Sequence, residues 1–308
     1  MGYVNAVAQA GRYKRRVSLE NNNLKILYTS RGPVEYLDEG SGGAVLSLHG
    51  ALGGYDQAQV LVRTIGQPGY RYLSISRPGY LGTPLSAGRT PEEQADLYAE
   101  FIQLLSIKQV IVIAISGGGP SAIHFVLRHA DKCKRLVLVS TCGGIMRYKV
   151  PLGFHAMCYM ARWPIFATMM QKKAEKNLKQ LLSRSISDQV IFERMVNDAE
   201  VMALYRVIAV GSFHRMAERI AGTRNDMKVS QTRTYPLQDI AVPTLVIHGT
   251  KDPLLPFQEH GKKLVSEIPD AQLLAAEGGG HGTIFTHREE VLLKVASFLE
   301  DENVVSNK

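Results

Sequence analysis

Residues 109–120 read Gln-Val-Ile-Val-Ile-Ala-Ile-Ser-Gly-Gly-Gly-Pro. The unbroken apolar run from Val110 to Ile115 is the pattern of a strand buried on both faces. It runs without a spacer into Ser116, three glycines and Pro120, and residues 120–129 then carry helical periodicity. So sharp a strand-to-helix turn strains the serine backbone and leaves no room for side chains two places before and two places after it. Ala114 and Gly118 occupy those places. The common pattern is G-x-S-x-G; Ala114 departs from it but is still small. The turn sets the serine oxygen at a helix N-terminus, where backbone N–H groups are unpaired and the dipole is positive. The Gly117 N–H is therefore a candidate donor to a developing oxyanion. A phosphate loop would want a lysine among the glycines, and this turn has none. Ser116 reads as a nucleophile.

Working outward, short Val-, Ile- and Leu-rich runs at 44–48, 71–75, 136–139, 244–248 and 271–275 read as further strands. Between or beside them, 56–65, 91–105, 256–267 and 289–299 read as helices. Thr90-Pro91-Glu92-Glu93 is a good helix start, with a cap, a proline in the first turn and acids at the positive end of the dipole. The alternation predicts an α/β fold: a mostly parallel central sheet with helices on both faces. It stops between 145 and 236, where only helical stretches are found. The expected organisation is a core of 1–144 and 237–308 with a helical cap inserted at 145–236. Residues 1–23 and 302–308 read as loose ends.

A serine hydroxyl needs a base near neutral pH. Among nine histidines, His281 has the best context, in Gly278-Gly-Gly-His-Gly282 just after the last strand. The acid should fall between serine and histidine in chain order. Asp252 does, in a turn at the carboxyl end of strand 244–248, where open α/β sheets gather their chemistry. It would accept the other ring N–H of His281 and fix its tautomer. Asp239 precedes the strand and is weaker. After strand 44–48, His49-Gly50-Ala51-Leu52 shapes a turn whose later N–H offers a second oxyanion donor, assigned to Ala51 with Leu52 as the alternative. His49 reads as structural.

The three cysteines, Cys133, Cys142 and Cys158, form no C-x-x-C pair and fit buried, reduced residues. The N-terminus places Lys14-Arg15-Arg16 after its apolar residues, the reverse of a secretory signal, and no run approaches the ~20 apolar residues of a membrane span. The expectation is a soluble, cytoplasmic protein. The net charge is +8, and segment 145–236 alone holds fifteen Lys and Arg against seven Asp and Glu. The basic character thus belongs to the expected cap. That segment also holds nine of the ten methionines and the single tryptophan. Met157, Met160 and Trp163, with Leu52, are the expected lining of an adaptable apolar substrate pocket. The basic residues also suggest weak contact with an anionic membrane surface. Without an aromatic stacking motif beside them they do not suggest nucleic acid.

The segments H-G-A-L-G-G (49–54), S-R-P-G-Y-L-G-T (76–83), A-I-S-G-G-G-P (114–120), G-T-K-D-P (249–253) and G-G-H-G (279–282) together resemble the α/β-hydrolase superfamily over about residues 30–300. Within it, the 76–82 turn looks like the D-R-P-G-Y-G turn of capped esterases, with Ser76 in place of the common Asp. The resemblance implies a capped, lipase-like serine carboxylesterase that needs no cofactor or metal. Its substrate would be an ester with a small or medium apolar acyl group. Acyl transfer, C–C bond hydrolysis with the same residues, and a non-catalytic binding protein remain as alternatives. Epoxide hydrolases and haloalkane dehalogenases carry aspartate where this chain has Ser116. The acyl chain length, the alcohol and the oligomeric state are not legible.

Overall fold

The structure is a computed structural model that describes residues 23–148, 150, 152–186 and 188–300. Of the expected loose ends at 1–23 and 302–308, all but residue 23 lie outside the described residues.

The strands are β1 (Leu24–Thr29), β2 (Gly32–Gly40), β3 (Gly43–Leu48), β4 (Tyr70–Ile75), β5 (Val110–Ile115), β6 (Cys133–Val139), β7 (Thr244–Gly249) and β8 (Ala271–Ala276). They form one sheet in the order β1-β2-β4-β3-β5-β6-β7-β8. Pairing is antiparallel from β1 through β2 to β4 and parallel from there on. The six parallel strands lie where the apolar runs place them. The hairpin β1–β2 was not legible. Leu24-Lys-Ile-Leu-Tyr-Thr29 is an edge strand with charged and polar positions, so its period is weak.

Core helices are α1 (Tyr55–Ile65), α2 (Pro91–Leu104) and α3 (Gly119–Arg128), which precede the insertion. The insertion holds α4 (Leu152–Met160), α5 (Pro164–Lys176), α6 (Leu178–Ser185), α7 (Gln189–Asn197), α8 (Ala199–Gly211) and α9 (Ile220–Thr232). After it come α10 (Gly261–Glu267), α11 (Thr283–Thr286) and α12 (Arg288–Glu300). Between β6 and β7 no strand is found among the described residues.

Alternation along the strands builds two apolar layers. Leu46, Leu48, Val112, Ala114 and Leu138 face α2 and α3, packing with Tyr98, Phe101, Ile123 and Phe125. Val45, Ile111, Ile113, Val137 and Ile247 face the other way, onto Val60, Leu61 and Ile65 of α1 and Val291, Val295 and Phe298 of α12. Because both faces are buried, the central strands read as continuous apolar runs. The start of α2 carries the expected cap: Glu93 N–H donates to Thr90 Oγ1 at 3.2 Å, and Thr90 N–H donates to Glu93 Oε2 at 3.1 Å.

Two buried arginines tie the insertion to the core. Arg219, beside the start of α9, donates to both oxygens of Asp56 (3.1 and 2.7 Å) and to the His214 carbonyl (2.9 Å). Arg77, from the turn after β4, pairs with Asp226 of α9. A buried guanidinium stripped of its carboxylate is far costlier than an absent pair. Asp56→Ala is therefore expected to destabilise the protein by about 3–5 kcal/mol, read as a fall in the urea midpoint. Removing both partners with Asp56→Ala and Arg219→Met should recover much of that loss.

Candidate active site

β5 delivers Ser116 into a left-handed backbone conformation, φ +52°. A non-glycine residue held there costs on the order of 1–3 kcal/mol. The surroundings enforce it. Ala114 is buried in the core. A Cβ on Gly118 would lie 2.7 Å from the Leu48 carbonyl oxygen and 2.8 Å from that of His49. A Cβ on Gly119 would run into the side chain of Thr141, whose hydroxyl donates to the Ser116 carbonyl at 2.6 Å. The steric reading of Ala114 and Gly118 thus matches the turn as built.

The loops after β7 and β8 bring the other two polar groups to Ser116. His281 Nε2 stands 3.0 Å from Ser116 Oγ, and His281 Nδ1 stands 2.8 Å from Asp252 Oδ2. With the carboxylate accepting at Nδ1, the imidazole carries its proton there and presents a bare Nε2 to the serine hydroxyl. Asp252 Oδ1 accepts from the N–H groups of Leu254 and Leu255 at 2.9 and 3.0 Å. Burial pushes the Asp252 carboxyl up. The His281 hydrogen bond and charge, with the two backbone donors, outweigh burial and hold it below the ordinary aspartate value. The two loops touch closely: Lys251 N–H donates to the Gly279 carbonyl at 2.9 Å, and a Cβ on Gly249 would strike the backbone of Gly279. The glycines around His281 serve this approach as well as the freedom of the ring.

The turn after β3 lies against the serine. A Cβ on Gly50 would sit 3.1 Å from Ser116 Cβ. The Ala51 nitrogen is 3.4 Å from the point a Cβ on Gly117 would take, so the two expected donors are neighbours. The Leu52 N–H is already used: it donates to Thr223 Oγ1 of α9 at 3.0 Å. Of the two alternatives, Ala51 is the one left facing Gly117. His49 is fully buried. Its Nδ1–H donates to the Gly50 carbonyl at 2.7 Å, and its Nε2 accepts from the Arg77 N–H at 3.0 Å. Burial, then the nearby Arg77 charge, drive its pKa well below the usual histidine value.

Several residues at the site have partners that the sequence does not reveal, although Ser76, Arg77 and Tyr80 belong to the 76–83 turn. Arg77 Nε donates to the His49 carbonyl at 2.8 Å while the rest of its guanidinium holds Asp226. Tyr80 donates to the same carboxylate at 2.6 Å. Asp226 Oδ2 comes within 2.9 Å of the place a Cβ on Gly117 would occupy. Nothing in the sequence around Asp226 marks it, because its partners are about 150 residues away. His248 is buried behind Asp252, donating to the Leu255 carbonyl at 2.8 Å. Ser76 is explained by Glu35. The Ser76 hydroxyl donates to Glu35 Oε2 at 2.8 Å and accepts from the Tyr55 N–H at 3.0 Å. An aspartate at 76 would set two buried carboxylates together; here the anion has moved to β2.

The expected pocket residues separate. Leu52 and Met157 pack in one apolar cluster with Phe154, Phe166 and Phe213 around Cys158 and Met216. Met160 and Trp163 are not part of that cluster. Trp163 is exposed and meets Tyr159 edge-on, ring centroids 5.7 Å apart. All three cysteines are buried and outside any disulfide; burial pushes the Cys133 thiol up to about 12 and that of Cys142 up to about 11. Among the described residues no group of three or more His, Cys, Asp or Glu is placed to hold a metal ion, and no helix is long and apolar enough to cross a membrane.

The sequence profile of the alpha/beta hydrolase fold family matches residues 43–288, and the chain belongs to that family. An AB hydrolase superfamily protein of Bacillus subtilis is 23% identical, over 85% of this chain and 93% of its own length. A non-heme chloroperoxidase of Kitasatospora aureofaciens is 26% identical, over 82% and 91%. A 2-hydroxy-6-oxononadienedioate/2-hydroxy-6-oxononatrienedioate hydrolase of Burkholderia vietnamiensis is 24% identical, over 86% and 90%. Among solved structures, an alpha/beta hydrolase fold protein from Nakamurella multipartita superposes with a TM-score of 0.79 at 28% identity, covering 90% of this chain and 98% of that one. An esterase from Thermogutta terrifontis gives 0.64 at 18% identity, over 90% and 97%, a likeness of fold alone.

The depressed Asp252 pKa has a thermodynamic consequence. Its contribution to stability is present above the unfolded-state value of 3.8 and is lost as pH falls through the lower folded-state value. The stability advantage of the wild type over Asp252→Asn, measured by urea titration, should be largest near neutral pH and shrink as the pH falls below 3.8.

Proposed function

We propose that the protein is a serine hydrolase cleaving carboxylic esters through an acyl-enzyme on Ser116. The observation that carries this reading is the hydrogen-bonded line Ser116 Oγ, His281 Nε2, His281 Nδ1, Asp252 Oδ2, with gaps of 3.0 and 2.8 Å. Ser116 attacks the ester carbonyl while His281 takes its proton. The N–H groups of Gly117 and Ala51 hold the oxyanion, in a turn made rigid by Arg77. His281 then protonates the departing alcohol. Water, activated by the same ring, attacks the acyl carbon and releases the acid. Asp252 keeps the proton on Nδ1 and stabilises the imidazolium.

The acyl group is neutral and apolar in this reading. Leu52 and Met157, with the phenylalanines beside them, offer an apolar wall. An acyl group that brings its own carboxylate finds no free cation here, since the nearby Arg77 is already paired with Asp226. That weighs against dioate substrates such as the one named for the Burkholderia relative. Hydrolysis and acyl transfer share every step up to the acyl-enzyme; adding an acceptor alcohol to the assay and analysing products separates them.

Ser116→Ala and His281→Ala should each lower kcat on neutral p-nitrophenyl esters by on the order of 10⁴- to 10⁶-fold. A fluorophosphonate probe should label the wild type and not Ser116→Ala. Labelling that persists in Ser116→Ala, or full activity of His281→Ala, would overturn the assignment.

A further inference from the structure

The outer surface of the insertion is apolar at one end and basic at the other. Among the described residues, five of the twelve exposed large apolar side chains fall within residues 152–169. They are Leu152 (86% exposed), Tyr159 (58%), Trp163 (55%), Ile165 (85%) and Met169 (54%). Scattered exposed apolar residues are ordinary; a contiguous group is not. Leu152 and Tyr159 are seven residues apart on α4 and so share a face. On α5, Ile165, Met169, Lys172 and Lys176 follow spacings of four, three and four, which draws one line down the helix. All four are exposed. The opposite sides of these helices are already occupied: Cys158 of α4 and Ala174 of α5 are buried.

Lys172, Lys173 and Lys176 make no ion pair among the described residues, and Glu175, the one acid on α5, is bonded to Arg206 at 2.7 Å. Arg162 lies over the Tyr159 ring, 5.5 Å from its centroid. Ile165 and Met169 grade into the unpaired Lys172 and Lys176 along one line of α5, with exposed Tyr159 and Trp163 in contact at its start; exposed apolar side chains beside unpaired lysines match a surface that is hydrocarbon below and anionic above. A second copy of the chain is a poorer match, since a two-fold contact over this face would set its own cations against each other.

We propose that α4 and α5 form a docking face for an anionic lipid bilayer, with Leu152, Trp163 and Ile165 entering the acyl boundary and Lys172, Lys173 and Lys176 meeting lipid phosphates. The proposal does not rest on ester chemistry, and its test reads binding rather than turnover. Trp163 is the only tryptophan in the chain, so its emission reports this face directly. The intact protein is mixed with vesicles of equal parts phosphatidylcholine and phosphatidylglycerol, with or without brominated acyl chains. The expected result is co-sedimentation, a blue shift of Trp163 emission, and quenching by bromine. Lys172→Gln with Lys173→Gln and Lys176→Gln should lower partitioning on the order of 100-fold, and Ile165→Ser by about 10-fold or more. The same variants should keep wild-type hydrolysis of a soluble ester and wild-type circular dichroism, since none of these residues touches Ser116. Unchanged emission with no co-sedimentation overturns the proposal. So does equal binding to neutral vesicles that the glutamine variants leave untouched. A lipid-free blue shift that grows with protein concentration, alongside a dimer mass in light scattering, would also overturn it and assign the face to self-association.

Discussion

β3 lies beside β5 in parallel, Leu48 level with Ala114, and the chemistry of the site hangs on that pairing. Two chains leaving a sheet at the same level and on the same side are forced into contact one residue later. The His49 and Leu48 carbonyls then press on Gly118, and Gly50 presses on Ser116. The left-handed backbone of Ser116 is the conformation that survives this crowding. The adjacency of the Ala51 and Gly117 nitrogens is a by-product of the same register. A one-residue slip between β3 and β5 would exchange the two apolar faces of the strand. Because the two faces pack different side chains against different helices, close packing across the sheet protects the geometry of one serine.

The parts of this arrangement that were readable beforehand are those with a local steric cause. Ala114 and Gly118 had to be small because of a turn written within twelve consecutive residues. His281 and Asp252 could be placed because each follows an apolar strand and sits among turn residues, and the chain order of the fold does the rest. The six parallel strands were readable for the same reason, both faces being apolar. The β1–β2 hairpin was not, because its outer strand is half solvated and loses the pattern. Arg77 was visible as part of a turn, but its partner was not. Asp226 is a lone acid on a helix of the insertion, and only the folded chain brings it under the guanidinium. Glu35 and Ser76 make a similar case. The exchange of an expected carboxylate for a hydroxyl makes sense only when the glutamate from another strand is seen 2.8 Å away.

Trp163 shows how composition can mislead about place. The concentration of methionine and tryptophan between 145 and 236 suggests a pocket, and Met157 does lie beside Leu52. An apolar side chain in a helical insertion has two faces to choose from, however. Sequence periodicity in α4 and α5 is too weak to decide between them, because residues on both sides are apolar. The tryptophan is on the outer one.

The α9 helix reaches the turn after β3 at two points. Thr223 accepts the Leu52 N–H, and Asp226 grips the arginine that holds the His49 carbonyl. Arg219 adds a third tether to Asp56 just before it. The segment of the insertion nearest the core is thus pinned to the turn after β3, and it could not shift without breaking the contacts that hold Leu52 and Arg77. Three side-chain links on one short stretch make α9 as much a part of the core as of the insertion that contains it.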